Sequence, residues 1–217
     1  RTKAVGGALR WPGIRILIIR RTYRDMENSL ITPLVKLIPA EVGRYNGSSN
    51  MVLFQNGSSI KFGHLPNDRA TVEGEYQGQE FDWIFMDEAT QFTESEFRGM
   101  GGCLRGVNDI PKRFYLTCNP GGVGHQWVKR LFIDGRFRPG ENPDDYIFIP
   151  ARFTDNADLL KSSPGYAAML DNLPESVRKA HRDGDWNALS GQYFSEFTRG
   201  LHTVAPFAIP PEWRKYR

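Results

Sequence analysis

Cysteine is scarce in this chain: Cys103 and Cys118 are the only two in 217 residues. Two thiols make no disulfide framework, so a packed core has to hold the fold. Both fall in predicted buried elements and read as reduced, small core residues of an intracellular protein. No apolar run approaches the ~18 residues of a membrane span. No signal peptide is visible, and the first residue is not an initiator Met. Neither sign of charge dominates: 28 Lys and Arg against 25 Asp and Glu leave +3. That balance demands no nucleic-acid partner by itself. The four histidines, His64, His125, His181 and His202, lack metal-ligand spacing, and no cluster of three or four carboxylates has it either. No internal repeat or low-complexity segment is seen. What is present is enough apolar residue, 40%, for one large α/β domain or a domain with an appendage.

The most informative stretch is Trp83-Ile84-Phe85-Met86-Asp87-Glu88-Ala89. Four bulky apolar residues run into two adjacent carboxylates. A short apolar run rich in aromatic and branched residues reads as a strand of a parallel sheet, buried on both faces. The carboxylates then sit at its C-terminal end, where open α/β sheets bind ligands. This is the Walker B pattern of phosphate-loop nucleotide hydrolases. In it Asp87 holds Mg²⁺ through the ion's water shell, and Glu88 orients the attacking water. Taken alone, the same residues also describe a strand ending in a solvated acidic turn.

Further on, Arg113-Phe114-Tyr115-Leu116-Thr117-Cys118-Asn119-Pro120-Gly121-Gly122 reads as a second buried strand. It closes on polar Thr117 and Asn119. Pro120 stops it, and the glycines let the backbone turn close to a ligand. A helix over about Glu94–Leu104 between the two strands completes a β-α-β unit. Thr117 and Asn119 are candidate sensors of a terminal phosphate, or simply a turn that caps the strand.

The remaining pattern alternates. Thr2–Arg10 reads as a helix, Trp11-Pro12-Gly13 as a turn and Ile14–Ile19 as a strand. Arg24–Ile38 has helical spacing, with Met26, Leu30, Leu34, Leu37 and Ile38 on one side and Pro33 set to bend or interrupt it. Met51–Phe54 and Ser58–Phe62 flank Gln55-Asn56-Gly57, a hairpin signal, expected as an antiparallel edge extension. Ile14–Ile19, Trp83–Met86 and Phe114–Thr117 are expected to be interior strands. Gln126–Ile133 reads as a helix and Tyr146–Pro150 as a strand. Pro164–Asn172 and Pro174–Arg182 read as short helices opened by proline. Residues 188–217 read as a linker or hairpin.

Together these residues resemble the ATPase domain of the large terminase subunit of tailed bacteriophages, the DNA-packaging motor. Ile16–Tyr23 resembles the strand after the phosphate loop. Tyr76–Phe92 is similar to the family's Walker B region and its lead-in. Leu116–Gly122 is similar to the motif that couples hydrolysis to DNA movement, with Thr117, Asn119 and Pro120 at its centre. Gly184–Asn187 and Gly191–Phe194 resemble the end of the ATPase domain. The resemblance implies an α/β fold of the P-loop NTPase (RecA/ASCE) type: a mainly parallel sheet flanked by helices, with an antiparallel hairpin extension. It implies residues 1–187 as the ATPase domain and 188–217 as a linker, Trp213–Arg217 resembling the lead-in to a nuclease domain. ATP and Mg²⁺ would be the cofactors. The implied partners are double-stranded DNA, a portal protein and a small terminase subunit, with a homo-oligomeric ring during packaging, a monomer in isolation, and no membrane. The place of action would be the cytoplasm of the infected bacterial host.

Two departures stand out. No G-x-x-x-x-G-K-[ST] loop is present. Arg1-Thr2-Lys3-Ala4 fits the last residues of such a loop running into its helix. Thr2 then matches the hydroxyl that binds Mg²⁺, and Arg1 stands where Lys is usual. The family's Arg-Gly pair before the catalytic Glu aligns with Gln77-Gly78. That leaves Arg69 as the candidate trans-acting arginine, with Arg98 and Arg105 as competitors. Candidate DNA-phosphate contacts are Lys129, Arg130, Arg136 and Arg138, together with Arg20, Arg21 and Arg24. The alternatives are a helicase-like motor of the same fold, or a non-catalytic DNA-binding or assembly module.

Overall fold

Four consecutive aliphatic residues, Ile16 to Ile19, form the middle of a strand in which all four are buried. Successive side chains on a strand point to opposite faces. Ile16 and Ile18 therefore enter one core cluster, with Ala4, Ala8, Met26 and Leu34. Leu17 and Ile19 enter another, with Ile84, Met86, Phe92 and Met100. The sheet is thus covered on both faces, which a run without polar alternation requires. The structure is a computed structural model describing residues 1–65, 74–163, 165–188 and 199–213.

Helix α1 (Thr2–Arg10) leads through the Trp11–Gly13 turn into β1 (Arg15–Arg20). Strands β2 (Gly43–Asn46), β3 (Met51–Phe54), β4 (Ser59–His64), β5 (Trp83–Asp87) and β6 (Arg113–Thr117) complete one six-stranded sheet in the order β2-β3-β4-β1-β5-β6. β4, β1, β5 and β6 run parallel, while β2 and β3 pair antiparallel at one edge. The hairpin therefore differs from the expectation. Its second arm, β4, enters the parallel core beside β1. Only β3 and β2, a strand the sequence pattern did not mark, form the antiparallel extension.

Between β1 and β2 the chain runs through α2 (Tyr23–Met26), a wider π-helical turn (Glu27–Ile31) and α3 (Thr32–Val35). Pro33 lacks the N–H that an α-helix needs. At the residue just before it, the Thr32 N–H reaches back five residues to the Glu27 carbonyl. The extra residue rotates the following face, so Ile31 is buried while Leu30 is only partly covered and Leu37 is exposed. The predicted apolar side fails at Leu37, while Leu30 still packs against the core.

Helix α4 (Glu94–Gly101) joins β5 to β6 and opens with a capping box, in which Thr93 and Glu96 satisfy each other's backbone N–H groups. Helix α5 (His125–Val128) continues into a π turn (Lys129–Ile133). Helices α6 (Ala157–Ser162), α7 (Gly165–Asp171) and α8 (Glu175–Arg182) follow. Two further expectations are corrected. Among the described residues β6 is an edge strand, its side chains only partly covered. Tyr146–Pro150 is not paired as a strand. A cavity of 450 Å³ is lined by both β6 residues and Ile147–Arg152, and it takes the place of a ladder between them. Pro164, residues 189–198 and residues 214–217 lie outside the described residues, and with them Gly191–Phe194 and most of the expected linker. No helix among the described residues is long and apolar enough to cross a membrane.

At the N-terminal edge the parallel strands are tied by Asp82, which is fully buried. Its carboxylate accepts the Arg15 N–H at 2.9 Å, the Asn108 amide at 2.9 Å and the Lys112 ammonium at 3.0 Å. Those partners hold its pKa below the usual value, although burial alone pushes it up. Asp82→Ala should therefore cost ~2–4 kcal/mol of unfolding free energy, the scale of a buried carboxylate with charged partners. Urea unfolding at neutral pH measures it. A loss under ~1 kcal/mol would mean that the three donors re-pair without the carboxylate.

Candidate active site

Because β1, β5 and β6 are parallel, their last residues, Arg20, Asp87 and Thr117, meet at one edge of the sheet. β5 pairs with β6 in a register that sets Asp87 opposite Thr117. The Thr117 hydroxyl donates to Asp87 Oδ1 at 2.5 Å. On the other side the Arg20 guanidinium lies 3.5 Å from Asp87 and 3.8 Å from Glu88. It also donates to the Asp25 carbonyl at 3.2 Å and to the Ser29 hydroxyl. Arg20 is thus turned onto the two acids. Arg21 is taken up by Glu96 at 2.7 Å and by the face of Phe92, 4.2 Å from the ring centroid.

Glu88 leaves the strand in the left-handed conformation, φ 55° and ψ 50°. It shares a positive φ with only one other non-glycine among the described residues, Asn50. A glutamate held there costs ~1–3 kcal/mol and persists only when its surroundings fix it. Its carboxyl is half-buried, and its pKa is raised first by burial and then by Asp87. Arg20 and His181 of α8 pull the other way. A carboxylate next to an acid and held partly out of water accepts hydrogen bonds readily, which suits a group that orients a water.

The start of α1 lies at the same edge, because the tight turn at residues 11–13 reverses the chain before β1. Arg1 precedes the helix and makes no side-chain cap, and Thr2 is its first residue and exposed. Asp87 is near enough to the Arg1 backbone nitrogen for its charge to be felt there. A helix N-terminus presents unpaired N–H groups and a positive dipole end to this edge. Asp87 and Thr117 present oxygen to this edge, as Mg²⁺ prefers, with waters and phosphate to complete its shell.

Asn119 is exposed, and Pro120 behind it is buried. The Asn119 side chain borders both the 450 Å³ cavity and an open cleft of 640 Å³ shared with Arg152, Asp155, Asn156, Tyr166 and His181. Its carbonyl accepts the Thr90 hydroxyl at 3.0 Å. Thr90 was not marked in the sequence. Its position two residues past Glu88 was the available signal. His125 is not alone near this region, since His181 lines the same cleft as Asn119 and acts on Glu88. His125 itself is buried and accepts the Gly121 N–H at 3.0 Å.

Arg69 lies outside the described residues. Of the basic residues considered for DNA, Arg20 sits on the acids and Arg21 on Glu96, while those around α4 and α5 pair with other carboxylates. Arg130 donates to Glu94 and Glu141, each at 2.8 Å, and Arg138 reaches Glu94 at 3.1 Å. Arg98 contacts both acids as well. Lys129 pairs with Asp134 at 2.6 Å. Arg136 is 60% exposed and 3.9 Å from Asp134, so it retains the freest charge of the group. Arg105 is exposed beside Glu80.

The chain matches the family model described as phage terminase large subunit over residues 2–166. Among solved structures it is similar to the large terminase of a thermophilic bacteriophage in complex with ADP. The TM-score is 0.64 at 17% identity, covering 85% of this chain and 44% of that one. The same phage's terminase in complex with ATP-γ-S gives a TM-score of 0.61 at 17% identity, covering 85% and 43%. This chain therefore spans less than half the length of those proteins. At that identity the likeness speaks for the fold, which is of the P-loop NTPase type. No curated protein matches the chain.

The arginine cluster around Glu94 and Glu141 sets an acid limit. Hydrogen bonds from Arg130 and from the Arg138 backbone hold Glu141 down to about 2, against an ordinary 4.5. The folded value lies below the unfolded one, so this stabilisation is complete above pH 4.5 and fades as pH falls toward 2. The melting temperature should drop through that window, and Glu141→Gln should flatten part of the slope. An unchanged slope in Glu141→Gln would assign the acid sensitivity to other carboxylates.

Proposed function

Since the chain belongs to the phage terminase large subunit family, we propose that it is the ATPase part of a viral genome-packaging motor, hydrolysing ATP with Mg²⁺ to drive double-stranded DNA into a procapsid. The observation that carries this reading is the acid pair at the carboxyl edge. Asp87 is bonded by Thr117, and Glu88 is held in a strained turn beside it.

Asp87, through water, and Thr2 are the residues to hold magnesium, which when bound neutralises phosphate charge. Arg1 and the N-terminus of α1 face the phosphates. Glu88 accepts a hydrogen bond from the attacking water and orients it. Phosphoryl transfer needs little more from the protein than such placement and charge. Arg20 spans both acids and neutralises them while no cation is bound. Thr117 and Asn119 follow the presence of the terminal phosphate, and Asn119 passes it to the Pro120–Gly124 bend. Lys129, Arg130, Arg136 and Arg138 remain the candidates for DNA phosphates, with Arg136, 3.9 Å from Asp134, the least tightly paired. Arg69 is kept as the candidate trans-acting arginine on family grounds. Residues 1–187 would be the ATPase domain and 188–217 the link to a nuclease domain. The whole protein would act with portal and small terminase subunits as a ring, in the host cytoplasm.

In the full-length protein, Glu88→Gln should leave ATP affinity nearly intact and cut hydrolysis by ~10²–10⁴-fold, the scale of one lost positioning group. Asp87→Asn should also weaken Mg²⁺-dependent binding. Single-turnover hydrolysis measured beside nucleotide affinity decides this, and normal turnover in Glu88→Gln removes Glu88 from the mechanism. Asn119→Ala should keep some ATP turnover while packaging stops. If Asn119 only holds its turn, melting temperature and both activities should fall together, by the ~1 kcal/mol of one lost hydrogen bond.

A further inference from the structure

Between Glu88 and the helix that begins at His125, the chain makes a set of contacts that strand pairing does not require. Thr90, in the 3₁₀ turn Ala89–Gln91 that follows Glu88, is buried. Its hydroxyl donates to the Asn119 carbonyl at 3.0 Å, and its own carbonyl accepts the Gly124 N–H at 2.7 Å. Gly122 has φ +74°, and a Cβ there would lie 2.6 Å from the Thr90 oxygen. Glycine is what lets the loop lie on Thr90.

The far side of the loop is held by His125. The Gly121 N–H donates to its Nδ1 at 3.0 Å, which puts the imidazole proton on Nε2. The ring is 5% exposed and packs on Trp186, with centroids 5.3 Å apart. Its Nε2 reaches toward the Trp186 main chain without completing a hydrogen bond. Burial lowers its pKa; the Trp186 main chain opposes this and Lys129 adds to it, so the ring is neutral and Nδ1 is free to accept at neutral pH.

We propose that Thr90 and His125 are positioning residues that work as one clamp, pinning the 119–124 loop onto the turn that holds Glu88 in its left-handed conformation. The proposal rests on the reading of Glu88 as the water-orienting group. Its physical basis is the strain: a left-handed glutamate relaxes unless the residues after it are fixed. Thr90 fixes them by two bonds to the loop, and His125 fixes the loop. Releasing either end should let the Glu88 carboxylate drift, slowing the chemical step without changing how nucleotide binds.

The test uses the full-length enzyme with Thr90→Val, Thr90→Ser, His125→Phe, His125→Asn, the Thr90→Val/His125→Phe pair, and Glu88→Gln as reference. Thr90→Val and His125→Phe should each lower kcat for ATP about tenfold, the worth of roughly one hydrogen bond, with KM changed less than about twofold. Thr90→Ser keeps the hydroxyl. His125→Asn keeps an acceptor where Nδ1 was. Both should recover most of the rate. The double variant should be no slower than the slower single one, because both act through one loop. A lower melting temperature with unchanged kcat per folded enzyme would overturn the proposal, as would independent, multiplying losses in the double variant. Should Thr90→Val fail to fold, the contrast between His125→Phe and His125→Asn decides alone. Normal turnover in Glu88→Gln would remove the reading beneath the clamp. An inactive Glu88→Gln with full-speed His125→Phe and Thr90→Val would remove the clamp only.

Discussion

The parallel pairing of β5 with β1 on one side and β6 on the other governs this molecule. It is fixed at the N-terminal edge, where Asp82 accepts donors from Arg15, Asn108 and Lys112. It is closed at the other edge by the Thr117–Asp87 bond. A slip of one residue would turn every side chain of a strand to the opposite face. Trp83 and Met86 could not then keep their separate cores, and Asp87 would lose Thr117. The buried polar tie therefore sets register as well as stability, and the register delivers the acids to one place.

At that place the protein accumulates cost. Two carboxylates are adjacent, and one of them is carried in a backbone conformation that a glutamate disfavours. Arg20 offsets the charge from the end of β1, at 3.5 and 3.8 Å. These distances describe a neutralising neighbour more than a tight ion pair, so the guanidinium can give way to a cation. The strain has its counterweight in the packing beyond Glu88, where Thr90, Phe92 and Trp127 interlock. The Trp127 indole N–H donates to the Phe92 carbonyl at 2.8 Å.

The basic residues around α4 and α5 behave differently. Glu94 and Glu141 draw in Arg98, Arg130 and Arg138, so positive charge that looks available in the sequence is largely taken up by acids. A nucleic-acid phosphate would have to compete with those carboxylates at Arg98, Arg130 and Arg138, while Lys129 and Arg136 lie beside Asp134 instead.

The sequence by itself determined the strand at Trp83–Asp87, its neighbour ending at Thr117, the helix between them and the acid pair. Short runs of aromatic and branched residues ending in polar groups have few other ways to fold. It also marked Pro33 as the place where the helix would bend or be interrupted, because proline lacks the N–H of a helical turn, and a π turn precedes it. Tertiary structure decided the rest. The order of strands placed β4 inside the sheet and β6 at its edge, since pairing partners depend on how distant segments meet. The π turn brought Ile31 into the core alongside a partly covered Leu30 by adding one residue that no periodicity shows. Arg20 went to the acids and Arg130 to Glu94 and Glu141, because a long charged side chain settles on whichever opposite charge the fold brings within reach. Thr90 was brought to Asn119, 29 residues on, and His125 to Trp186, because such distant pairings depend on how the segments pack; what the sequence offered was their closeness along the chain to Glu88 and to the Asn119–Gly122 turn.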